Sequence, residues 1–562
     1  MEGQKECLLI SDRSNTDSMT ILPEVRRVLD DMRVPVKEAD VSDLRLEPQL
    51  RKIKTVVIAT PGWDKIGDQI HQLVSWVHEG GNVMAAMTPA PETEFQSVRQ
   101  QLGIMDGGDA YTDIQGIRAV HEGVLGSSQK TDFNISTPGE VMKVSLNVQL
   151  DDDADVWFSS EDGKTPVLWS TDYGSGRFVI LNDVINAKFQ RGFYCIGYSL
   201  LEPVCIWPVI NASSYYLDDF PAPVPSGDST YIKRDFGVDI ETFYAQIWWP
   251  QILQWERTYK IKHTGMIIED YNDDVSAPFK KQKTTGRFMT FGDTLIYHGG
   301  ELGLHGYNHQ PLALRGVDED MQFGAYKLWK SEKDAEDSIR ELASFARKTF
   351  PGQKLQVYVP PSNILSETGK QALLHADPDI RMIASAYTQS ADVKSFVQEF
   401  GVDDDDIIEA PRITSGTILS DYMYLTAFSE MNYHFVQSHF FHPDDVLDPD
   451  RGADQGWSYM AEQFENYLKF ITKSAPDMRQ TTGSEMGASV KKWSALSVER
   501  ESRPGEMDLR LGGFAGDAWF LMRLNEEGDG VKESSGCEIK KVASGLYLVH
   551  ATSDTVRLAY AG

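Results

Sequence analysis

Hydrophobic and polar positions along the first hundred residues follow a pattern typical of strands that alternate with amphipathic helices. Apolar runs at residues 7–11, 55–60 and 82–86 predict buried strands, and helical spacing at 21–32 and 68–78 predicts two helices. Repeating units of this length predict a parallel sheet with helices on both faces.

Short alternating runs replace this pattern between about residues 106 and 172, where we expect a β-rich insertion. One such run begins at Val141, and the apolar run at 176–182 predicts a strand that rejoins the first sheet. The segment at 76–83 resembles the corresponding stretch of class I glutamine-amidotransferase-like domains, without their nucleophilic cysteine. This resemblance implies a doubly wound, flavodoxin/amidotransferase-like α/β domain over residues 1–210, and no amidotransferase activity.

Strands and helices alternate again over residues 211–489, and polar residues follow the predicted strands. Five such units predict a complete or partial α/β barrel whose site lies at the carboxyl ends of the strands. The tail at 490–562 changes to short strands separated by turns, which predicts a small β-sandwich. The expected fold class is therefore α/β, with a deformed (β/α) barrel between two other domains.

Charge and cysteine content narrow the classes of function. The formal net charge is −30, and a nucleic-acid binder needs a basic surface, so we expect no nucleic-acid partner. The four cysteines are too few and too scattered for a disulfide framework or a cysteine-type zinc site. No apolar run is long enough to span a bilayer, and the first residues do not form a signal peptide. A cytosolic chain and a chain whose leader or anchor has been removed both show this start.

Two short motifs carry candidate chemistry. Asp218 and Asp219 follow a β-type run and precede a proline-rich segment at 221–225. Because proline cannot continue a central strand, the two acids are expected at the strand terminus. His305 and His309 form a His-x-x-x-His pair after a later predicted strand. Carboxylate and imidazole ligands together suit a zinc-like ion.

This order of motifs resembles the polysaccharide deacetylase (NodB-homology, carbohydrate esterase 4-like) superfamily over about residues 211–480. The whole chain most resembles Pel-type exopolysaccharide deacetylases and related uncharacterised bacterial proteins. The resemblance implies that Asp218 is the general base. It also implies that Asp219, His305 and His309 bind a divalent metal, with Zn²⁺ as the first choice.

The same resemblance places a catalytic acid at the end of the last barrel strand. His439 fits that position best, and His442 and His434 compete with it. The arginine that the family has in its third motif is missing from the segment at 359–363, and Arg412 is a candidate replacement. The substrate-binding candidates are Tyr307 for sugar stacking, Asp270 as a cleft carboxylate or alternative first acid, Asn363, Arg412 and His442.

These observations predict a metal-dependent hydrolase that removes N-acetyl groups from an amino-sugar exopolysaccharide of GlcNAc or GalNAc type. The water is activated by the metal, Asp218 acts as the base and His439 as the acid. For such a substrate we expect an extracellular or cell-surface location. Two alternatives remain open: a catalytically silent carbohydrate-binding or scaffold protein, and a glycoside hydrolase, which works through two carboxylates and needs no metal.

Overall fold

The amino-terminal strands and helices form as their hydrophobic pattern predicts. The computed structural model describes residues 6–134, 143–183, 187–221, 227–390, 393–525 and 530–560. The first elements are β1 (Glu6–Ser11), α1 (Thr16–Asp31), β2 (Val36–Asp40), α2 (Leu46–Leu50), β3 (Ile53–Ala59), α3 (Gln69–His78), β4 (Asn82–Ala85) and α4 (Thr93–Val98). None of the described helices is both long and apolar enough to cross a membrane.

The expected insertion is rich in strands, but most of it extends the first sheet. Strands β2, β1, β3, β4 and β11 are parallel neighbours in that order, and β10, β9, β6 and β7 continue the sheet in antiparallel fashion. Strands β5 and β8 pair separately, and Val141 and Met142 lie outside the described residues. The elements are β5 (Ile104–Ile114), β6 (Gly116–Ala119), β7 (Asp132–Asn134), β8 (Lys143–Leu150), β9 (Asp155–Ser160), β10 (Pro166–Tyr173), β11 (Gly176–Leu181), α5 (Arg191–Ser199) and β12 (Val204–Val209).

A second nine-stranded sheet occupies the centre of the chain and curls into a half-barrel. Its strand order is β18-β19-β17-β16-β15-β14-β13-β21-β20, and every pairing except that of β18 with β19 is parallel. Its elements are β13 (Ala212–Leu217), α6 (Thr230–Phe236), α7 (Ile240–Phe243), α8 (Trp249–Tyr259), β14 (His263–Ile267), α9 (Gly286–Tyr297), β15 (Glu301–Leu304), α10 (Glu332–Thr349), β16 (Val357–Tyr358), α11 (Glu367–Ala376), β17 (Met382–Ile383), β18 (Gly401–Val402), β19 (Ile408–Glu409), β20 (Thr414–Ser415), α12 (Asp421–Tyr433), β21 (Val436–Phe441), α13 (Trp457–Ser474) and α14 (Gly483–Ala495).

The last strands form two four-stranded antiparallel sheets that share an apolar core. Strand β12 precedes the half-barrel in sequence, yet it pairs with β24, because Val204 and Ile206 alternate into that core. The carboxyl-terminal unit therefore includes part of the segment that we expected in the first domain. Its remaining strands are β22 (Ser497–Arg503), β23 (Glu506–Gly512), β24 (Ala518–Leu524), β25 (Val531–Ser535), β26 (Cys537–Ala543), β27 (Leu546–Ala551) and β28 (Thr555–Tyr560).

A buried polar cluster joins α1 to the half-barrel. His434 is 3 % exposed, with Nδ1 2.7 Å from Glu430 and Nε2 3.2 Å from Asp31. Burial alone would lower the His434 pKa, but the two carboxylates outweigh it and raise the pKa. His434, one of the competing candidates for the catalytic acid, thus lies in the contact between α1 and α12.

Candidate metal centre and active site

The candidate residues meet where the parallel strands of the half-barrel end. Asp218 and Asp219 directly follow β13, and His305 directly follows β15. His442 directly follows β21, and Arg412 comes three residues after β19 and forms a parallel bridge with Ala386, which follows β17. Since the carboxyl ends of parallel strands share one edge of the sheet, residues far apart in sequence are brought together there.

Asp219, His305 and His309 form a cluster whose ligand atoms all lie within 4.8 Å of one another. Asp219 Oδ1 is 3.4 Å from His305 Nε2 and 3.6 Å from His309 Nε2. These three atoms are buried, and none has a hydrogen-bond partner among the described residues. Buried polar atoms are nearly always satisfied, and carboxylate and imidazole atoms placed in this way could hold a metal ion.

A hydrogen bond at Nδ1, the ring nitrogen that does not face Asp219, fixes the orientation of the His305 ring. Its Nδ1 is 2.8 Å from the carbonyl oxygen of Val359, which can only accept, so Nδ1 carries the proton. Burial lowers the His305 pKa to about 4, which leaves the ring neutral near pH 7. The Nε2 lone pair therefore faces the oxygen of Asp219. Two acceptors in this arrangement repel each other unless a metal ion lies between them or a proton does, and burial raises the Asp219 pKa to about 8.

His309 is held by a tyrosine that the sequence did not single out. Its Nδ1 is 3.0 Å from the Tyr326 hydroxyl, which is also 2.7 Å from Ser362 Oγ. His309 has a φ of 61°, in the left-handed region. Burial lowers its pKa well below the ordinary value, so its Nε2 is also free to act as a ligand.

We expect Tyr326→Phe to weaken metal binding by about 10- to 100-fold, because outer hydrogen bonds that orient a histidine ligand have effects of this size. The substitution keeps the ring and removes only the hydroxyl bonded to His309. Competition with a chromogenic zinc chelator measures the affinity. Tyr297→Phe is the matched control, since Tyr297 is 87 % exposed. Equal affinities of the two variants would contradict the prediction.

Asp218 forms a buried ion pair with Arg412. The guanidinium Nη1 lies 2.5 Å from Asp218 Oδ2, and both side chains are 1 % exposed. Burial favours the neutral acid, but the charge of Arg412 outweighs it and lowers the Asp218 pKa. Nη2 of Arg412 donates to Asn363 Oδ1 at 2.5 Å. Asn363, which we expected to contact substrate, therefore orients the arginine.

His442 lies beside Asp218 and is held by a second acid. Its Nε2 is 3.7 Å from Asp218 Oδ2, and its Nδ1 is 3.5 Å from Asp445 Oδ1. Arg451 Nη1 contacts the same Asp445 oxygen at 2.7 Å. Burial opposes a charged imidazole, but Asp445, Asp218 and Asp219 together outweigh it and raise the His442 pKa to about 9.

The expectation that His439 ends the last strand is wrong. Strand β21 continues through Phe441, because Leu217 and Phe441 are paired and Phe441 packs in the core. His439 is fully buried, its Nδ1 is 2.8 Å from Thr414 Oγ1, and its ring stacks on Phe464 at 5.0 Å. It thus lies inside the half-barrel, whereas His442 contacts Asp218.

Tyr307 is not available for stacking on a sugar, contrary to expectation. It is 1 % exposed, its ring contacts Phe279, and its hydroxyl donates to the Lys280 carbonyl at 2.6 Å. Tyr271 offers a more accessible ring at 45 % exposure. Sequence reasoning missed it because no motif marks the loop that carries it.

Asp270 lies in the loop after β14. Its Oδ1 accepts from the Tyr271 backbone N–H at 2.8 Å, and its Oδ2 is 3.4 Å from Lys280 Nζ. These contacts fit a loop or cleft carboxylate. None of the described contacts joins Asp270 to the metal cluster, in which Asp219 supplies the carboxylate ligand atom.

Comparison with known proteins identifies a family without giving an activity. No curated protein is significantly similar in sequence to this chain. An exo-β-1,4-mannosidase from Opitutaceae bacterium strain TAV5 is 16 % identical, with 35 % of this chain and 36 % of that chain covered and a TM-score of 0.26. A β-galactosidase from Bacillus circulans sp. alkalophilus is 13 % identical, with coverages of 37 % and 34 % and a TM-score of 0.26. The chain thus spans about a third of the length of these two proteins.

A cytoplasmic protein from Salmonella typhimurium LT2 is 12 % identical, with 35 % of this chain and 100 % of that chain covered and a TM-score of 0.27. A family model described as an uncharacterised protein conserved in bacteria (DUF2194) matches residues 1–134 and 121–548. Those ranges include every candidate site residue. The chain belongs to the DUF2194 family.

Proposed function

We propose that this chain is a metal-dependent hydrolase that removes N-acetyl groups from an amino-sugar exopolysaccharide outside the cell or at its surface. The observation that carries the proposal is the convergence of three buried, unpartnered ligand atoms of Asp219, His305 and His309 beside the Asp218–Arg412 pair. The motif order, which resembles NodB-type deacetylases, supports the choice of reaction. On this proposal the half-barrel is a NodB-type domain between a flavodoxin-like domain and a β-sandwich.

The donor set suits a zinc-like ion. One carboxylate oxygen and two imidazole nitrogens leave a coordination position open, as in catalytic zinc sites. Zn²⁺ bound there would supply Lewis-acid polarisation of the acyl oxygen and a water of lowered pKa. Asp219 would be held ionised by the cation, although burial without the cation raises its pKa.

The remaining residues have distinct tasks in amide hydrolysis. Asp218, kept ionised by Arg412, accepts a proton from the attacking water. His442 donates a proton to the departing amine, because an amine leaves poorly as an anion. We therefore assign the acid role to His442 and not to His439, which is enclosed by aromatic rings. Asp445 holds His442 in its protonated form.

Acetate release from N-acetylglucosamine and N-acetylgalactosamine oligosaccharides tests the proposal. We expect release that a chelator abolishes and added Zn²⁺ restores. Chelator-insensitive formation of new reducing ends would instead favour a glycoside hydrolase. Oligosaccharide binding without acetate or new reducing ends would favour a silent carbohydrate-binding protein.

The pH dependence of kcat/KM should reflect the loss of the proton from His442. Its pKa of about 9 means that it carries the proton near pH 7 and loses it as the pH rises through about 9, so kcat/KM should fall there. Asp445→Asn removes the neighbouring negative charge, and the alkaline limb should move to lower pH by about 1–3 units. Asp450→Asn is the control, because Asp450 is exposed on the same segment. An unmoved limb in Asp445→Asn would contradict the assignment.

A further inference from the structure

A polar pocket of about 460 Å³ lies between the amino-terminal sheet and the carboxyl-terminal strands. A volume of this size falls within the range of roughly 300–1,000 Å³ that is typical of small-molecule sites. One wall is built from β9 and β10, and the other from the ends of β24, β26 and β27. The pocket is separate from the metal centre, because none of its lining residues belongs to the candidate catalytic set.

Two stacked aromatic rings form part of the pocket lining. Trp157 is 5 % exposed, and the His121 ring stacks on it at 3.7 Å. The Arg523 guanidinium lies 4.9 Å from the same indole, and it donates to Ser199 Oγ at 2.8 Å and to the Gly123 carbonyl at 2.9 Å. These contacts join β24 to the amino-terminal unit. The hydrogen bonds of Arg523 therefore connect the two walls of the pocket.

Hydrogen-bond donors and acceptors are mixed along the pocket. The carboxylates of Asp153 and Asp155 are acceptors, and the ammonium group of Lys541 is a donor. Further polar groups and one more aromatic ring also line the pocket, among them Ser170, Thr171, Asp172, Arg177, Asn525 and Tyr547. His121 Nδ1 accepts from the Gly123 N–H at 2.9 Å, so in the neutral ring Nε2 carries the proton and lies 3.7 Å from Asp155.

A ligand for this pocket needs groups that both donate and accept hydrogen bonds. Saccharide hydroxyls do both, and an acetamido group adds one N–H donor and one carbonyl acceptor. The three aspartates of the lining are balanced by the three basic side chains of Arg177, Arg523 and Lys541, so it is the net charge of −30 that disfavours a polyanion. A lipid chain is disfavoured by the predominance of polar groups in the lining. The Tyr547 ring provides a surface against which a sugar ring can pack.

We propose that this pocket binds a short segment of an amino-sugar polysaccharide and anchors the polymer at a distance from the metal centre. The choice of sugar rests on the proposed function. A second binding point on the same chain raises the effective concentration of polymer at the active site. Anchoring thus favours long substrates over short ones.

Isothermal titration with the tetrasaccharide of N-acetylglucosamine, and separately with that of glucosamine, tests the proposal in the full-length His305→Ala variant. That background prevents hydrolysis during the titration. We expect two binding sites per chain for at least one tetrasaccharide. Adding Asp155→Ala and Lys541→Ala should remove one site or weaken it at least about tenfold, because the ligand then loses hydrogen bonds to two charged groups of the lining.

Matched controls lie on the same segments. Asp152 lies three residues before Asp155 and is not part of the lining, and Lys540 pairs with Asp477 on the opposite side of β26. Asp152→Ala with Lys540→Ala should leave both sites intact. Binding that is unchanged by the pocket substitutions, or absent for both tetrasaccharides, would overturn the proposal. Acetate release by the unsubstituted protein is measured separately. If no acetate is released but two binding sites are found, the hydrolase assignment is wrong and the proposal of a saccharide-binding pocket still stands.

Discussion

Replacing both Asp219 and His305 with alanine should remove the bound metal and lower acetate release by more than about 1,000-fold, a loss of about 4 kcal/mol of transition-state stabilisation. Two of the three converging ligand atoms disappear, and His309 alone cannot retain a zinc-like ion. Elemental analysis of the purified protein should show about one metal ion per chain before the substitutions and none after them.

A second group of possible metal ligands provides the control for this experiment. Glu332, Glu336 and His375 also bring possible ligand atoms within 4.8 Å of one another, but two of these residues are exposed. His375→Ala should therefore leave metal content and acetate release unchanged. Metal lost in His375→Ala and retained in the double variant would show that the ion binds at the surface of α10 and α11, and the proposed active site would then be wrong.

Replacing Asp218 with asparagine should reduce kcat by about 100- to 10,000-fold, because the general base is removed while the metal ligands remain. The variant should also be destabilised, since Arg412 is 1 % exposed and loses its carboxylate partner. Breaking a buried ion pair in this way costs about 3–5 kcal/mol. Metal content should stay at the level of the unsubstituted protein.

A double-mutant cycle separates these two effects. Arg412→Met in the Asp218→Asn background removes the unpaired charge, so part of the lost free energy of unfolding should return while acetate release stays low. Chemical denaturation of the metal-free proteins measures the stability. Activity within tenfold of the original in Asp218→Asn would show that another group takes the proton, and the role of Asp218 would have to be abandoned.

Local signals in the sequence were sufficient for much of the fold and for the residues of the Asp219–His305–His309 cluster. The helix expected at 68–78 is α3, and the strand expected at 176–182 does rejoin the first sheet. Trp248, Trp249 and Trp255 are core residues, and their helical spacing in the sequence is typical of a buried helix face. Asp219 and His305 were identifiable because paired acids before prolines and a spaced histidine pair mark strand ends directly.

The partners of these residues depend on contacts that no local pattern encodes. Asp218 and Arg412 are 194 residues apart in sequence, and the strands of one sheet bring them together. Tyr326, which orients His309, comes from a long connection without a motif. Tyr307 is adjacent to two histidines in sequence, yet the packing of Phe279 against its ring buries it.

The sequence by itself determined that the chain is acidic, built from strand–helix units, and equipped with an Asp-His-His set suited to a cation. The tertiary structure decided which histidine lies beside Asp218. Pairing of Leu217 with Phe441 extends β21 beyond His439 and brings His442 to the edge of the sheet. The pairing of β12 with β24 likewise sets the composition of the carboxyl-terminal sheets. Strand ends depend on the register of neighbouring strands, and that register is a long-range property of the folded chain.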